Sequence, residues 1–281
     1  MTLSARCNPF TERESAAQDE RVLMAVRQKW FSNYEANRKK YLGFPGLDTL
    51  PLVNSAIVVG AGPTLKRNID QLEGVKAPVI VADKVFRAVS RYVKPTVVVV
   101  VNTENPHIGE WLMADSTDVI LVAPITADPR TFENWHGSVV FVNPDNTCPE
   151  LTNLVQTETG LIPTYRGENV GMFGLITAIT MGAKHVALLG MNYAFEEEED
   201  ALEATRDTHV VKIRSYTGEW CYTVLDWIDS RRILIEFCES MAGQCTVVNC
   251  SEGGILAQPG ILDTLKFAIW RKHCDIQGRK E

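Results

Sequence analysis

The sequence predicts an α/β protein of Rossmann-like type: a mostly parallel sheet with helices on both faces, preceded by a helical arm. Three observations predict it. Short runs of β-branched and small apolar residues recur along the chain, at Ala56–Val59, Pro78–Asp83, Thr96–Asn102, Asp118–Ala123, Ser138–Val142 and His185–Leu189, and helix-length segments separate them. The run Thr96–Asn102 is so continuously apolar that both its faces should be covered, as in a parallel sheet between helix layers. The first run ends in Gly60-Ala61-Gly62-Pro63, a turn into a segment with helical spacing from Lys66 to Leu72.

A chain of 281 residues is long enough for one large α/β domain or two small ones, with a sizeable core in either case. Hydrophobic residues make up 45% and charged residues 22%, values that argue against disorder and fibrous classes. The net charge of −7 argues against a nucleic-acid partner held by bulk electrostatics and leaves room for a local basic pocket. Seven cysteines without a Cys-x-x-Cys pair suggest neither a zinc site nor a disulfide framework, and fit reduced thiols. Met1 to Arg21 has no apolar signal-peptide core, and no apolar run is long enough for a membrane span, so a cytoplasmic protein is expected.

Taken in order, Val22, Leu23, Val26, Trp30, Phe31 and Tyr34 recur at three- and four-residue spacing and predict a helix over Glu20–Lys40. Its apolar face would pack on the main domain or on a second copy in a homo-oligomer. Gly43 to Pro51 breaks the pattern, which divides the chain into an arm and linker over 1–50 and a Rossmann-type domain over 51–281. At the first strand's end, Gly60 and Gly62 allow a sharp turn and close backbone approach, and Pro63 suits a first helical turn. Free N–H groups there, with Thr64, would face an anion. The third glycine of a dinucleotide fingerprint is replaced by Leu65, and no Walker-type Gly-Lys-Ser/Thr is present; a plain strand-to-helix turn fits the same residues. In a parallel sheet ligands gather at the carboxyl ends of the strands, here Gly60, Asp83, Asn102 and Ala123.

A second informative stretch runs from Tyr165 to Ala194. Asn169, flanked by Gly167 and Gly171, suits a helix cap, Gly182 closes the helix, and a buried strand ends at Gly190-Met191-Asn192. This second helix start could face an anion or a ribose, or simply cap a core helix. Glu196–Asp200 reads as a solvated loop, Lys212–Thr223 as a hairpin, Trp227–Met241 as an amphipathic helix, Thr246–Asn249 as a last strand and Pro259–Trp270 as a closing helix.

Four blocks in this order resemble the MptE-like family, named after archaeal 6-hydroxymethylpterin diphosphokinase and also found in Maf flagellin glycosyltransferases. They are Val59-Gly-Ala-Gly-Pro-Thr-Leu65, Gly167-Glu-Asn-Val-Gly171, Gly190-Met-Asn-Tyr-Ala194, and Asn249-Cys-Ser-Glu-Gly-Gly254 with Pro259-Gly-Ile. The resemblance implies a nucleotide-dependent transferase. Gly60, Gly62, Pro63, Thr64, Asp83, Asn102, Glu104, Gly167, Asn169 and Gly171 would hold the nucleotide; Asn192, Tyr193 and His209 would face the acceptor, a protein or a glycan. The pterin enzymes carry Asp-Leu-Asp-Gly where this chain has Asn102-Thr-Glu104-Asn, and an Asp where Asn192 stands. An amide keeps hydrogen bonds but removes charge for Mg²⁺. The resemblance therefore points first to Maf-type glycosyl transfer from a nucleotide sugar such as a CMP-activated nonulosonic acid. Two alternatives stay open: a diphosphokinase using ATP and Mg²⁺, and a non-catalytic nucleotide- or sugar-binding protein.

Overall fold

The computed structural model describes residues 12–41, 43–101, 107–145, 148–205 and 209–277. The elements follow in the order α1 (Glu12–Lys40), β1 (Ser55–Val59), β2 (Val79–Ala82), α2 (Phe86–Val89), β3 (Val97–Val99), α3 (Ile108–Trp111), β4 (Ile120–Pro124), β5 (Val139–Pro144), α4 (Pro149–Thr159) and β6 (Pro163–Thr164). Then come α5 (Val170–Thr180), β7 (His185–Leu189), α6 (Glu198–Thr205), β8 (Val210–Arg214), β9 (Trp220–Val224), α7 (Leu225–Ser240), β10 (Thr246–Asn249), β11 (Asp263–Thr264) and α8 (Phe267–Gln277).

Among the described residues nine strands form one sheet in the order β11-β10-β7-β1-β2-β3-β4-β5-β6, every neighbouring pair parallel. Successive side chains of a strand point to opposite faces, and both faces are buried here. Ile57, Val59, Val81, Val98, Leu121 and Leu189 join one apolar cluster, with α1, α4 and α8 contributing Tyr34, Leu151 and Phe267. Ala56, Val58, Ile80, Val99, Val122 and Leu188 join the other, with α5 and α7 contributing Phe173, Leu175 and Leu234. The all-apolar strand sequences follow from this double cover.

The chain runs from β1 outward through β2 to β6, returns through α5 and resumes at β7 on the opposite side of β1. The order of strands therefore reverses between β1 and β7. At such a switch point the loops leaving two neighbouring strands diverge and open a crevice at their carboxyl ends.

Several local expectations change. Lys66–Leu72 is not an α-helix: two 3-10 turns, Pro63–Arg67 and Ile69–Leu72, follow β1. Asn68 lies between them and donates from Nδ2 to Cys250 O, an interaction that holds the chain in a tight turn rather than a continuing helix. The acidic run expected as a loop enters α6, whose first turn carries Glu198, Glu199 and Asp200, where carboxylates are favourable beside unpaired N–H groups. Pro259–Trp270 forms a turn and the short strand β11 before α8 begins at Phe267, because Gly260 adopts a φ of +84°.

The end of α1 is tied to the domain by buried amides. Asn37 Nδ2 donates to Ile125 O and Ala127 O, both at 2.8 Å, and Asn33 Nδ2 donates to Thr126 O at 3.0 Å. These carbonyls belong to the loop after β4, so the helix caps groups that no strand partner reaches. Tyr41 adds edge contacts with Phe132 and Phe141.

Candidate functional site

A cavity of about 270 Å³ opens at the switch point. Its wall includes Gly60, Gly62 and Pro63 after β1, Lys84 after β2, Asn169 and Gly171 at the start of α5, Gly190 to Phe195 after β7, and Trp227 on α7. Seven of the residues that sequence reasoning singled out thus meet in one wall: Gly60, Gly62, Pro63, Asn169, Gly171, Asn192 and Tyr193.

The glycines bring the loops after β1 and β7 into backbone contact. A Cβ on Gly60 would lie 2.7 Å from Gly190 O, and one on Gly190, whose φ is +61°, would lie 2.5 Å from Gly60 O. Gly60 N–H donates to Leu189 O and Gly62 N–H to Gly190 O, at 2.8 and 2.7 Å. Thr64 N–H points to Asn192 Oδ1 and Leu65 N–H to Gly62 O. Among the described residues, Ala61 alone in Gly60–Leu65 keeps an amide without such a partner. The 3-10 turn is also only five residues long. The anion-facing amides expected at this turn are therefore mostly engaged within the protein. The first amides of α5, at Val170 and Gly171, precede that helix's own ladder and border the cavity.

Asn192 is 2% exposed and braces three loops at once. Its Nδ2 donates to Gly253 O at 2.9 Å, while Oδ1 faces Thr64 N–H and lies 2.9 Å from Thr64 Oγ1. The two neighbours fix the orientation, since a flipped amide would set oxygen against the Gly253 carbonyl. Thr64 Oγ1 also lies 2.5 Å from Ser251 O and faces inward, away from the cavity. Ser251 Oγ accepts from Met191 N–H at 2.8 Å, which joins the loop after β10 to the loop after β7.

Tyr193 has a φ of +52°, rare for a residue with a Cβ. Thr223 Oγ1 donates to its carbonyl at 2.8 Å, and Asn169 Nδ2 donates to its hydroxyl at 2.9 Å, so that conformation is held from both ends. The phenol keeps its own proton, and burial raises its pKa. Asn169 caps α5 as expected, its Oδ1 accepting from Met172 N–H at 3.0 Å. Gly171 is small because Met191 Sδ fills the place of a side chain.

Other expected residues lie outside this wall. Gly167 (φ +71°) shapes the turn before α5 and packs on Met172. His209 stands exposed one residue before β8. Asn102 and Glu104 lie outside the described residues.

Asp83 directly follows β2, opening a 3-10 turn, and is 4% exposed, with Lys84 N–H donating to its Oδ1 at 2.7 Å. Burial pushes its carboxyl up to about 6. A carboxyl whose folded pKa exceeds its unfolded value favours the neutral form in the native state. Its penalty is absent below the unfolded pKa and grows as pH rises from about 4 through about 6. Asp83→Asn is therefore expected to raise stability by about 1–2 kcal/mol at pH 8 and to change it little at pH 4. Urea denaturation at both pH values checks this, and an equal effect at both would refute it.

Sequence reasoning missed Lys84, Phe195 and Trp227. Phe195 and Trp227 stack at 4.7 Å between ring centroids with planes 22° apart. Lys84 had a signal, since it follows a strand end; the aromatic pair is 32 positions apart in sequence and had none. Arg166, beside Gly167, lies near the end of β3, where its Nη1 donates to Val101 O at 3.0 Å and its buried Nε has no partner among the described residues. Burial lowers its pKa.

The Mg²⁺ that a pterin diphosphokinase would need does not fit the described part of the site. No three His, Cys, Asp or Glu side chains among the described residues could hold a metal ion together, and Asp83 is buried where its charged form is disfavoured.

A family model described as 6-hydroxymethylpterin diphosphokinase MptE-like matches residues 29–198, from within α1 to the start of α6. The chain belongs to the MptE-like family. The match takes in the end of α1 from Lys29 onward, the part that carries Asn33 and Asn37, which dock the helix on the domain. Among solved structures, the fold is shared with a Maf glycosyltransferase from Magnetospirillum magneticum AMB-1, at a TM-score of 0.61 and 16% identity. The likeness covers 84% of this chain and 38% of that one, so this MptE-like chain spans well under half of that protein. No curated protein matches the sequence. Among the described residues no helix is long and apolar enough to cross a membrane.

Proposed function

We propose that this MptE-like chain is a nucleotide-dependent transferase acting by glycosyl transfer from a nucleotide-activated sugar, with a CMP-activated nonulosonic acid as the first donor to test. The observation that carries the reading is the cavity wall, whose described residues include one cation, Lys84, and no carboxylate. An anionic group entering it would meet the Lys84 ammonium, the first amides of α5 and the Ala61 amide. Breaking a nucleotide–sugar bond leaves negative charge on a phosphate, and fixed dipoles with a cation stabilise such charge where it develops. In this reading Tyr193, whose hydroxyl oxygen accepts from Asn169 Nδ2 and which lines the cavity, would donate its proton to the departing oxygen or to a substrate hydroxyl. Asn192 serves by holding the loops that shape the wall. The 16% identity to the Maf enzyme supports the fold alone, so donor and acceptor rest on this proposal.

The test is a calorimetric and thermal-shift panel of CMP, CDP, UDP, GDP, ATP and AMP, each with and without Mg²⁺, on the native chain and on Lys84→Gln. A ligand that binds the native state raises its melting temperature once its concentration exceeds Kd. CMP binding without Mg²⁺, weakened about tenfold in Lys84→Gln, is the expected result. Mg²⁺-dependent ATP binding would support the diphosphokinase instead. Silence across the panel would overturn nucleotide transfer.

A further inference from the structure

The cavity has two chemically different ends. The strand order puts Lys84, after β2, and the start of α5, which packs on β1 and β2, towards one side of β1, and puts Ala194 and Phe195, after β7, towards the other with Ala204 and Trp227; the first set is polar, and the second holds the stacked rings. Sugar hydroxyls buried at the second end would need partners. The only polar side-chain group those four residues carry is the indole N–H of Trp227, and an unpaired buried hydroxyl is costly. A flat aromatic heterocycle has no such need, because its faces stack on aromatic rings without a hydrogen-bond partner.

Size points the same way. A cavity of about 270 Å³ falls just below the roughly 300–1,000 Å³ usual for small-molecule sites, so part of a nucleotide sugar held there would extend outside it. We infer that the Phe195–Trp227 pair is a stacking subsite for the base of the nucleotide, with the phosphate at the Lys84 and α5 end and the transferred group outside. This rests on the nucleotide reading above. The subsite is built by tertiary contacts: Phe195 pairs with Tyr222 of β9 through two backbone hydrogen bonds of 2.7 and 2.9 Å, while Trp227 comes from the first turn of α7. Both rings are half-buried, which leaves ring surface for a ligand.

The experiment compares native chain, Trp227→Ala and Trp227→Phe by calorimetry with CMP, cytidine and inorganic pyrophosphate. Urea denaturation of each variant confirms that it is folded. Stacking predicts that Trp227→Ala weakens CMP and cytidine at least tenfold, leaves pyrophosphate within twofold, and is largely rescued by Trp227→Phe, which restores a ring. Equal losses for CMP and pyrophosphate, or unchanged CMP binding in Trp227→Ala, would overturn the subsite while nucleotide binding by the native chain stands. If the native chain binds pyrophosphate but neither CMP nor cytidine, the subsite is overturned and the anion end survives. Should it bind none of the three, both readings fall. If Trp227→Ala does not fold, the comparison passes to Phe195→Leu, which removes the partner ring and should weaken cytidine and CMP while sparing pyrophosphate.

Discussion

Replacing Gly190 by alanine is expected to cost the native state at least about 3 kcal/mol, the sum of a steric and a backbone penalty. The added Cβ would stand 2.5 Å from Gly60 O and 3.2 Å from both Gly60 C and Leu65 Cβ. Two of these three atoms are backbone and cannot rotate away. The turn after β1 and the turn after β7 would have to part, breaking the Gly60 N–H to Leu189 O and Gly62 N–H to Gly190 O hydrogen bonds. The φ of +61° adds strain for any residue with a side chain. Gly243→Ala is the control: its φ is +81°, with no atom of the described residues within 4 Å of the added carbon, so it carries the backbone penalty alone, about 1 kcal/mol. Urea denaturation should show Gly190→Ala losing clearly more, and nucleotide binding should disappear with it. Equal losses in the two variants would mean that the close approach of the loops contributes nothing.

Asn192→Asp, the change that would restore the carboxylate of the pterin enzymes, is expected to cost about 3 kcal/mol at pH 7.5. Asn192 Nδ2 donates to Gly253 O at 2.9 Å, and a carboxylate oxygen there would face a carbonyl oxygen in a position 2% exposed. Thr64 N–H and Oγ1 still approach the other oxygen, but they do not neutralise the charge. Burial and the Gly253 carbonyl would raise the new carboxyl's pKa above its unfolded value near about 4. The penalty is then absent below that unfolded value and appears as pH rises through the higher folded one. Stability curves of the variant and the native chain should converge near pH 4, where a protonated carboxyl can again donate to Gly253 O, and separate towards pH 7.5. A constant gap across this range would show that shape rather than charge is at fault. In this chain the amide is thus demanded by the loop after β10, independently of any role in catalysis.

These two positions show how much of the site could be read in the chain. Gly60, Gly62 and Gly190 stand at the ends of apolar strands, and because such runs pair side by side in a parallel sheet, their carboxyl ends converge wherever the strands are adjacent. The Asn169 cap is equally local, since an N-cap side chain reaches an amide only three residues ahead. The short 3-10 turns after β1 were not legible, because helical spacing from Lys66 to Leu72 reports an apolar face and not the distant Cys250 carbonyl that Asn68 meets.

By itself the sequence determined the α/β class, most of the strands, the α5 cap and the glycine-bearing loop ends, because these depend on periodicity, on backbone freedom and on contacts within a few residues. Only the tertiary structure decided that β7 lies beside β1, that Asn192 is a brace and not an open polar group, that Thr64 faces inward, and that Phe195 meets Trp227. Each depends on which distant segments come to share a space. Strand order and the pairing of loops are settled by burying both faces of the whole sheet, and no local stretch carries that condition.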